Sequence, residues 1–255
     1  MLELIRYRDL IWALVLRELK VRYRRSVIGL MWTMLQPLLT MAVLHFVFST
    51  IFRFDIRNYP VYVLSGILFW NFFSQSIVTS MNSLRGNARI LEKLPVPRAA
   101  FPVAAVISGV INLLLALVPL LAILMMTKHP LRESLLFLPV SILIAALFTL
   151  GAGLLLAPLA VFFTDVVEMV GVVLTLMFYA TPVFYPKEIA AGHDFYWVIR
   201  YNPLRSILEV FRDPIYLLKV PPLTHLSVTV GLTVIALLLG SWVFNRASDR
   251  IPFYL

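Results

Sequence analysis

The titratable side chains of this sequence are few, and their positions restrict the chemistry. The histidines are His45, His129, His193 and His225, and no two of them stand at the i, i+4 spacing of a helical metal site. The absence of cysteine excludes disulfides, Cys-ligated zinc, iron–sulfur clusters and thiol nucleophiles. Neither a G-x-x-x-x-G-K-[ST] phosphate loop nor a G-x-S-x-G elbow occurs, so ATP hydrolysis by the phosphate-loop route is not expected of this chain. Glu188, Asp194, Glu209 and Asp213 share one segment, but no spacing among them argues acid–base work. His45 is the one titratable residue deep inside a long apolar run, where a hydrogen-bonded helix contact is the plainer reading. Secondary transporters and proton pumps carry more than that within their spans.

The elements that hold these residues are apolar. The sequence is 61% hydrophobic and only 14% charged, with a mean hydropathy of +0.91, whereas a soluble domain is about a quarter charged. Six long stretches lack Asp, Glu, Lys and Arg: residues 27–52, 60–84, 99–127, 134–164, 169–186 and 220–245. About 20 apolar residues cross a hydrocarbon core of roughly 30 Å as a helix. The expectation is one all-α integral membrane domain over residues 1–255 with six transmembrane helices. The fifth stretch is the shortest and ends in Pro182 and Pro186, so it crosses only just or is broken near one face. Residues 145, 149, 153 and 157 (Ala, Thr, Gly, Ala) form a small-residue stripe on the fourth.

The net charge of +9 does not point to nucleic acid, because the bases sit at the ends of apolar runs. With the N-terminus inside, thirteen bases fall on the cytoplasmic side against nine outside, and the contrast is sharpest around the first spans. Both termini are then cytoplasmic. Within residues 1–26, Ile5, Trp12, Val15, Leu16, Leu19 and Tyr23 share a helical face, with Arg17, Arg24 and Arg25 on the opposite side. That pattern predicts an amphipathic helix lying in the membrane interface and turning at Gly29 into the first span.

Two loops carry further structure. Residues 85–98 hold a helical stretch, Ala88, Arg89, Ile90, Leu91, Glu92, Lys93 and Leu94, stopped by Pro95 and Pro97. A short rigid helix of this kind can dock into a partner, although an ordinary basic inside loop explains the same bases. Residues 187–219 are too interrupted to span yet too apolar for a plain loop, which fits two short amphipathic helices dipping in from outside.

The motifs "SVIGLMWTMLQPLL", "ILEKLPVPR", "YNPLRSILEVFR" and "NRASDRI" resemble type-2 ABC exporter permeases, nearest the polysaccharide and polyol-phosphate export branch that includes O-antigen, capsule and teichoic acid exporters. The resemblance runs nearly end to end. It implies a homodimer of six-span subunits in the bacterial inner membrane, each bound to a cytoplasmic ATPase chain that carries the ATP and magnesium. It implies a coupling helix at residues 88–94 and two re-entrant gate helices, with Asn202, Pro203, Glu209 and Arg212 as gate residues. The substrate would be a glycan or polyol-phosphate polymer on a lipid carrier, and the chain itself would be no enzyme and hold no cofactor.

Such a polymer stacks on aromatic faces. Candidates are Phe46, Phe48 and Phe52 on the first span, Phe69 and Trp70 on the second, and Phe178, Tyr179 and Tyr185 on the fifth, although many aromatics in spans face lipid. Arg24, Arg25, Arg85 and Arg89 are available for a phosphate headgroup, with topology alone as the plainer reading. The competing readings are a permease for a small hydrophobic compound and a membrane enzyme acting on lipid-linked sugars.

Overall fold

The computed structural model describes residues 6–23, 28–51, 56–94, 96–127, 132–190 and 196–254. Of the residues singled out above, Ile5, Arg24, Arg25, Phe52, Pro95, His129, His193 and Asp194 lie outside this set. Among the described residues every regular element is helical.

Helix α1 (Arg8–Tyr23) buries Leu14 and Val15 against Phe101 and Ala104. The narrow face read from the sequence is only partly the buried one: Val15 turns inward, while Trp12 and Leu16 stay exposed. The helix has two apolar faces, one for the protein and one left outward. The chain then turns through a 3-10 segment (Gly29–Met31), with Gly29 at φ +55, a conformation glycine adopts without steric cost. It continues as α2 (Trp32–Phe46), which passes into a π-helical turn (Val47–Ile51). Asn58 in the left-handed conformation and Pro60 in the first turn start α3 (Tyr59–Ser83).

A 3-10 turn (Arg85–Asn87) leads into the short α4 (Ala88–Lys93), and α5 (Ala100–Met126) follows. Next come a 3-10 segment (Glu133–Phe137), α6 (Leu138–Phe162) and α7 (Val166–Ala180). The remaining helices are α8 (Tyr196–Arg200), α9 (Pro203–Tyr216) and α10 (Leu223–Ser248).

Five stretches are long and apolar enough to cross a membrane: Gly29–Ser49, Tyr59–Ser83, Ala100–Met126, Glu133–Phe162 and Leu223–Ser248. Helix α7 is apolar but has 15 residues, about 22 Å of helix. The non-helical residues 181–186 follow it, so the sixth apolar stretch is a short helix and a turn.

Helix α3 is the centre of the bundle. Of its apolar window 78% is buried, and it packs against α2, α5, α6, α7 and α9. On its α6 side the small-residue stripe lies buried, and a Cβ on Gly153 would press on Ser80. Helices α6 and α10 approach more closely still, since a Cβ on Gly240 would run into the Gly151 carbonyl. Three helices remain peripheral. Only 6% of the apolar window around α2 and 17% of that in α10 is buried, and α7 buries no residue fully.

The two ends of the bundle differ. One carries α1, α4 and the final turn: Arg17 donates to Asn87 (2.7 Å), and Arg98 donates to the Ser248 carbonyl (2.7 Å). The other carries α8 and α9, where Tyr216 donates to the Arg57 carbonyl (2.8 Å).

Candidate functional site

The α9 end is built around a stretch of backbone with no helix to satisfy it. Pro182 and Pro186 stop α7 from continuing, so the carbonyls from Ala180 onward need donors from elsewhere. Side chains supply them in succession. Asn202 donates to the Ala180 carbonyl (3.2 Å) and to Thr181 Oγ1 (2.9 Å). Arg212 donates through Nη1 to the Pro182 carbonyl (2.8 Å) and through Nη2 to that of Val183 (2.7 Å). Tyr59 donates to the Phe184 carbonyl (2.7 Å) and Tyr62 to that of Tyr185 (2.8 Å). Four consecutive carbonyls are thus held by three side chains from α3 and α9.

The local sequence explains how. Asn202 also accepts from the Leu204 amide (2.9 Å) and so caps α9, with Pro203 in the first turn. One amide therefore starts α9 and finishes α7. Arg212 lies two and a half turns further on, 5% exposed, with its guanidinium 4.0 Å above the Tyr62 ring. Its planar fork fits two adjacent carbonyls, which a lysine cannot do. Gly66 makes the space: a Cβ there would collide with Arg212 Nη2 and the Val183 carbonyl. Tyr59, Tyr62 and Gly66 share a face of α3 at i, i+3 and i+7. The sequence reading passed over all three, although their spacing on one face was visible.

Glu209 belongs to a different cluster on α9. It pairs with Arg205 (2.9 Å) and Lys187 (3.1 Å), and His225 lies 3.6 Å away. The cluster ties the segment after α7 to α9 and to the start of α10. Burial works against the Glu209 charge, but the Arg205 hydrogen bond and Lys187 outweigh it and hold the carboxyl below the usual range. Burial, reinforced by Glu209, pushes Asp213 up to about 6. On the far side, Ser141 and Ser134 donate to the Val210 and Pro214 carbonyls (2.8 and 3.1 Å) and fasten α9 to the α6 region. Asn202, Pro203, Glu209 and Arg212 therefore all sit where α9 meets the end of α7, but they serve two separate constructions.

At the opposite end, α4 is a formed helix with two faces. Ile90 and Leu91 pack inward against the α1–α5–α6 cluster, and Arg89, Glu92, Lys93 and Leu94 are exposed. Ala88 begins the helix directly after Asn87. Arg85 is half-buried and donates to the Val161 carbonyl (3.2 Å), which anchors the base of α4 to α6.

The candidate aromatics divide by burial. Phe69 is 1% and Trp70 8% exposed, and both lie in the core of a single chain, against Phe211 and Phe178 respectively. Phe46 and Tyr179 are more than 60% exposed, on the peripheral helices α2 and α7. Phe48, Phe178 and Tyr185 are half-buried in one aromatic group around Phe184, with ring centroids 5.2–5.5 Å from it.

The sequence also matches known proteins over nearly its whole length. The chain is 34% identical over 251 residues to an "O-antigen export system permease protein RfbA" of Myxococcus xanthus, covering 97% of this chain and 96% of that one. It is 30% identical over 245 residues to a protein of the same name from Klebsiella pneumoniae, covering 95% and 93%. A "Polysialic acid transport protein KpsM" of Escherichia coli is 21% identical over 246 residues, covering 94% and 93%. The family described as "ABC-2 type transporter" matches residues 9–216, from the start of α1 to the end of α9. With α1 to α9 inside that match, the chain belongs to the ABC-2 type transporter family.

Proposed function

We propose that this chain is the membrane-spanning pore subunit of an ATP-driven exporter, and that its cargo is a lipid-linked polysaccharide or polyol-phosphate polymer. Family membership implies a partner ATPase, which holds the ATP and magnesium. Two copies of the chain form the pore in the bacterial inner membrane, with the α4 end and both termini in the cytoplasm. The exposed face of α4 receives the ATPase, and α8 and α9 form the outer gate. Relatives named for O-antigen export and polysialic acid transport, matched over more than 90% of their length, support the cargo class.

One structural observation carries the pore reading. Helices α2 and α7 bury the least of the apolar helices, α7 leads into the side-chain-held turn, and Phe48 just past α2 meets Phe184 of that turn (5.3 Å). A second copy facing them would enclose Phe46 and Tyr179 and place both at a shared passage. Aromatic faces at that position suit a polymer of sugars, whose C–H groups stack on them.

The test is reconstitution of the chain with its co-purified ATPase in vesicles loaded with the lipid-linked glycan on the ATPase side. ATP-dependent appearance of glycan on the opposite side is the expected result. Movement of small hydrophobic dyes without glycan would assign the small-compound class instead. Glycan cleavage by the chain without its ATPase would assign the enzyme class.

A further inference from the structure

Helix α3 carries Asn71, Gln75, Thr79 and Asn82 at spacings of four, four and three. These place them in a single stripe along the α4-side half of the helix, about 16 Å long. Within an apolar span such a stripe needs partners. Arg22 of α1 reaches it, donating to Gln75 Oε1 (3.1 Å) and Thr79 Oγ1 (3.5 Å). Arg17, further back on α1, donates to Asn87 at the foot of the stripe (2.7 Å).

The stripe is hollow on one side. Two adjoining clefts of about 170 and 400 Å³ run along it, and both are lined by Arg22 and Thr79. The first reaches Asn71 and Gln75 between α2, α3 and α5, and the second reaches Asn82 and Asn87 between α1 and α3. Gln75 and Arg22 are exposed into this space. Ser76 is 1% exposed, lines the first cleft, and its Oγ has no hydrogen-bond partner among the described residues. Glu18 lies near both arginines, half-buried, with burial raising its carboxyl, yet neither arginine forms an ion pair among the described residues. Both guanidinium groups thus hydrogen-bond to neutral oxygens, with Glu18 as a nearby acid that forms no ion pair with either among the described residues.

We propose that this groove binds the phosphorylated sugar head of an amphiphile lying in the α4-side leaflet. Arg22 and Arg17 take the phosphate, and the amides and hydroxyls of the α3 stripe take the sugar hydroxyls. Arginine forks match phosphate oxygens. A phosphate alone does not need the neutral row, which extends well beyond the reach of one headgroup phosphate. An amide that donates and accepts fits adjacent sugar hydroxyls, which also do both. The identity of the amphiphile as export cargo rests on the function proposed above.

The experiment uses the complex of this chain with its ATPase in nanodiscs. The probes are a short prenyl-diphosphate-linked N-acetylglucosamine, the same prenyl diphosphate without sugar, and phosphatidylglycerol. The wild type should bind the sugar-linked probe most tightly. Arg22→Gln should weaken both diphosphate probes about tenfold, by loss of charge-assisted hydrogen bonds. Gln75→Leu should weaken only the sugar-linked probe, about fivefold. Arg22→Lys should recover part of the first loss, which a misfolded variant would not.

Equal binding of all three probes, or affinities unmoved by Gln75→Leu, would reduce the groove to a phospholipid contact and overturn the proposal. The chain has no cysteine, so Gln75→Cys tests another occupant. A disulfide between the Gln75→Cys positions of two copies would make the stripe a subunit contact, again overturning the proposal. A wild-type complex that exports glycan while Arg22 and Gln75 variants bind normally sinks only this site. A wild-type complex that neither binds nor moves glycan sinks the proposed function as well.

Discussion

Arg212 sets the terms at the scale of single residues. A buried guanidinium loses solvation, and here two carbonyls and the Tyr62 face replace water. Lysine keeps the charge but offers three donors around a point. We expect Arg212→Lys to insert normally yet melt at a lower temperature and export poorly. Arg212→Ala should fall further, because each carbonyl left without a donor costs about 1–3 kcal/mol. Thermal unfolding of both variants is the measurement, and unchanged melting in both would remove Arg212 as the support of the turn. Asp213 responds to pH instead. Its carboxyl titrates near 6 in the folded protein against an ordinary 3.8, so the folded state binds the proton more tightly. Stability from this group is therefore full below about 3.8 and lost as pH rises through about 6. Glu209, held low, has the opposite sign and loses its contribution as pH falls. Asp213→Asn should flatten the loss on the alkaline side, read as melting temperature from about pH 4 to about pH 7. A variant that tracks the wild type across that range would exclude Asp213 as the titrating group. At this scale Asn202, Pro203, Glu209 and Arg212 came from the resemblance of "YNPLRSILEVFR" to exporter permeases, a motif of polar residues and a proline that can be read directly. Tyr59 and Tyr62 were not legible, because their partners are carbonyls more than 120 residues away, and a carbonyl leaves no mark on a sequence. The α3 stripe was missed for another reason: spans were delimited by charge, and Asn, Gln and Thr carry none.

Elements were more legible where proline and glycine punctuate them. Pro182 and Pro186 mark the end of α7, and Gly29 marks the turn into α2. Helix α1 was half legible, since a helical wheel finds an apolar face but cannot say whether protein or lipid covers it. Leu14 and Val15 meet α5, and Trp12 remains outside. The prediction at this scale concerns α4. Its inner face is fixed by Ile90 and Leu91, so a push on its outer face is transmitted to α5 and α6 instead of being absorbed. Glu92 is the acid among exposed bases there. Glu92→Lys should leave membrane abundance unchanged, since an exposed charge contributes under about 1 kcal/mol to stability. It should weaken recovery of the ATPase or uncouple its turnover from export. Normal recovery, turnover and export together would exclude Glu92 as a contact, and normal export after replacing residues 88–94 by a Gly/Ser linker would exclude the helix.

At the scale of the whole molecule, the fold class followed from hydropathy alone, because backbone in a bilayer must satisfy itself within helices. Which helix lies at the centre did not follow, since α3 is less apolar than α5 or α6 yet far more buried. Its tyrosines, serines and glycine let five neighbours approach, and hydropathy does not measure that. Orientation is testable on the cysteine-free background. Asn58→Cys and Lys187→Cys should react with an impermeant maleimide in cells with a permeabilised outer envelope, and Asn87→Cys only after lysis. The reverse pattern would invert the proposed topology.

A helix end frays as a unit, because each backbone bond steadies the next. The turn from Pro182 to Tyr185 has no such coupling. Each of its carbonyls answers to a hydroxyl or a guanidinium on a side chain of its own, not to the next turn of a helix. The acceptors can therefore be released one or two at a time, and water or a passing hydroxyl can take each vacated place while α7 and α9 stay folded. If the α9 end is the outer gate proposed above, passage is a series of small exchanges, in which the traveller supplies the hydrogen bonds that the wall gives up.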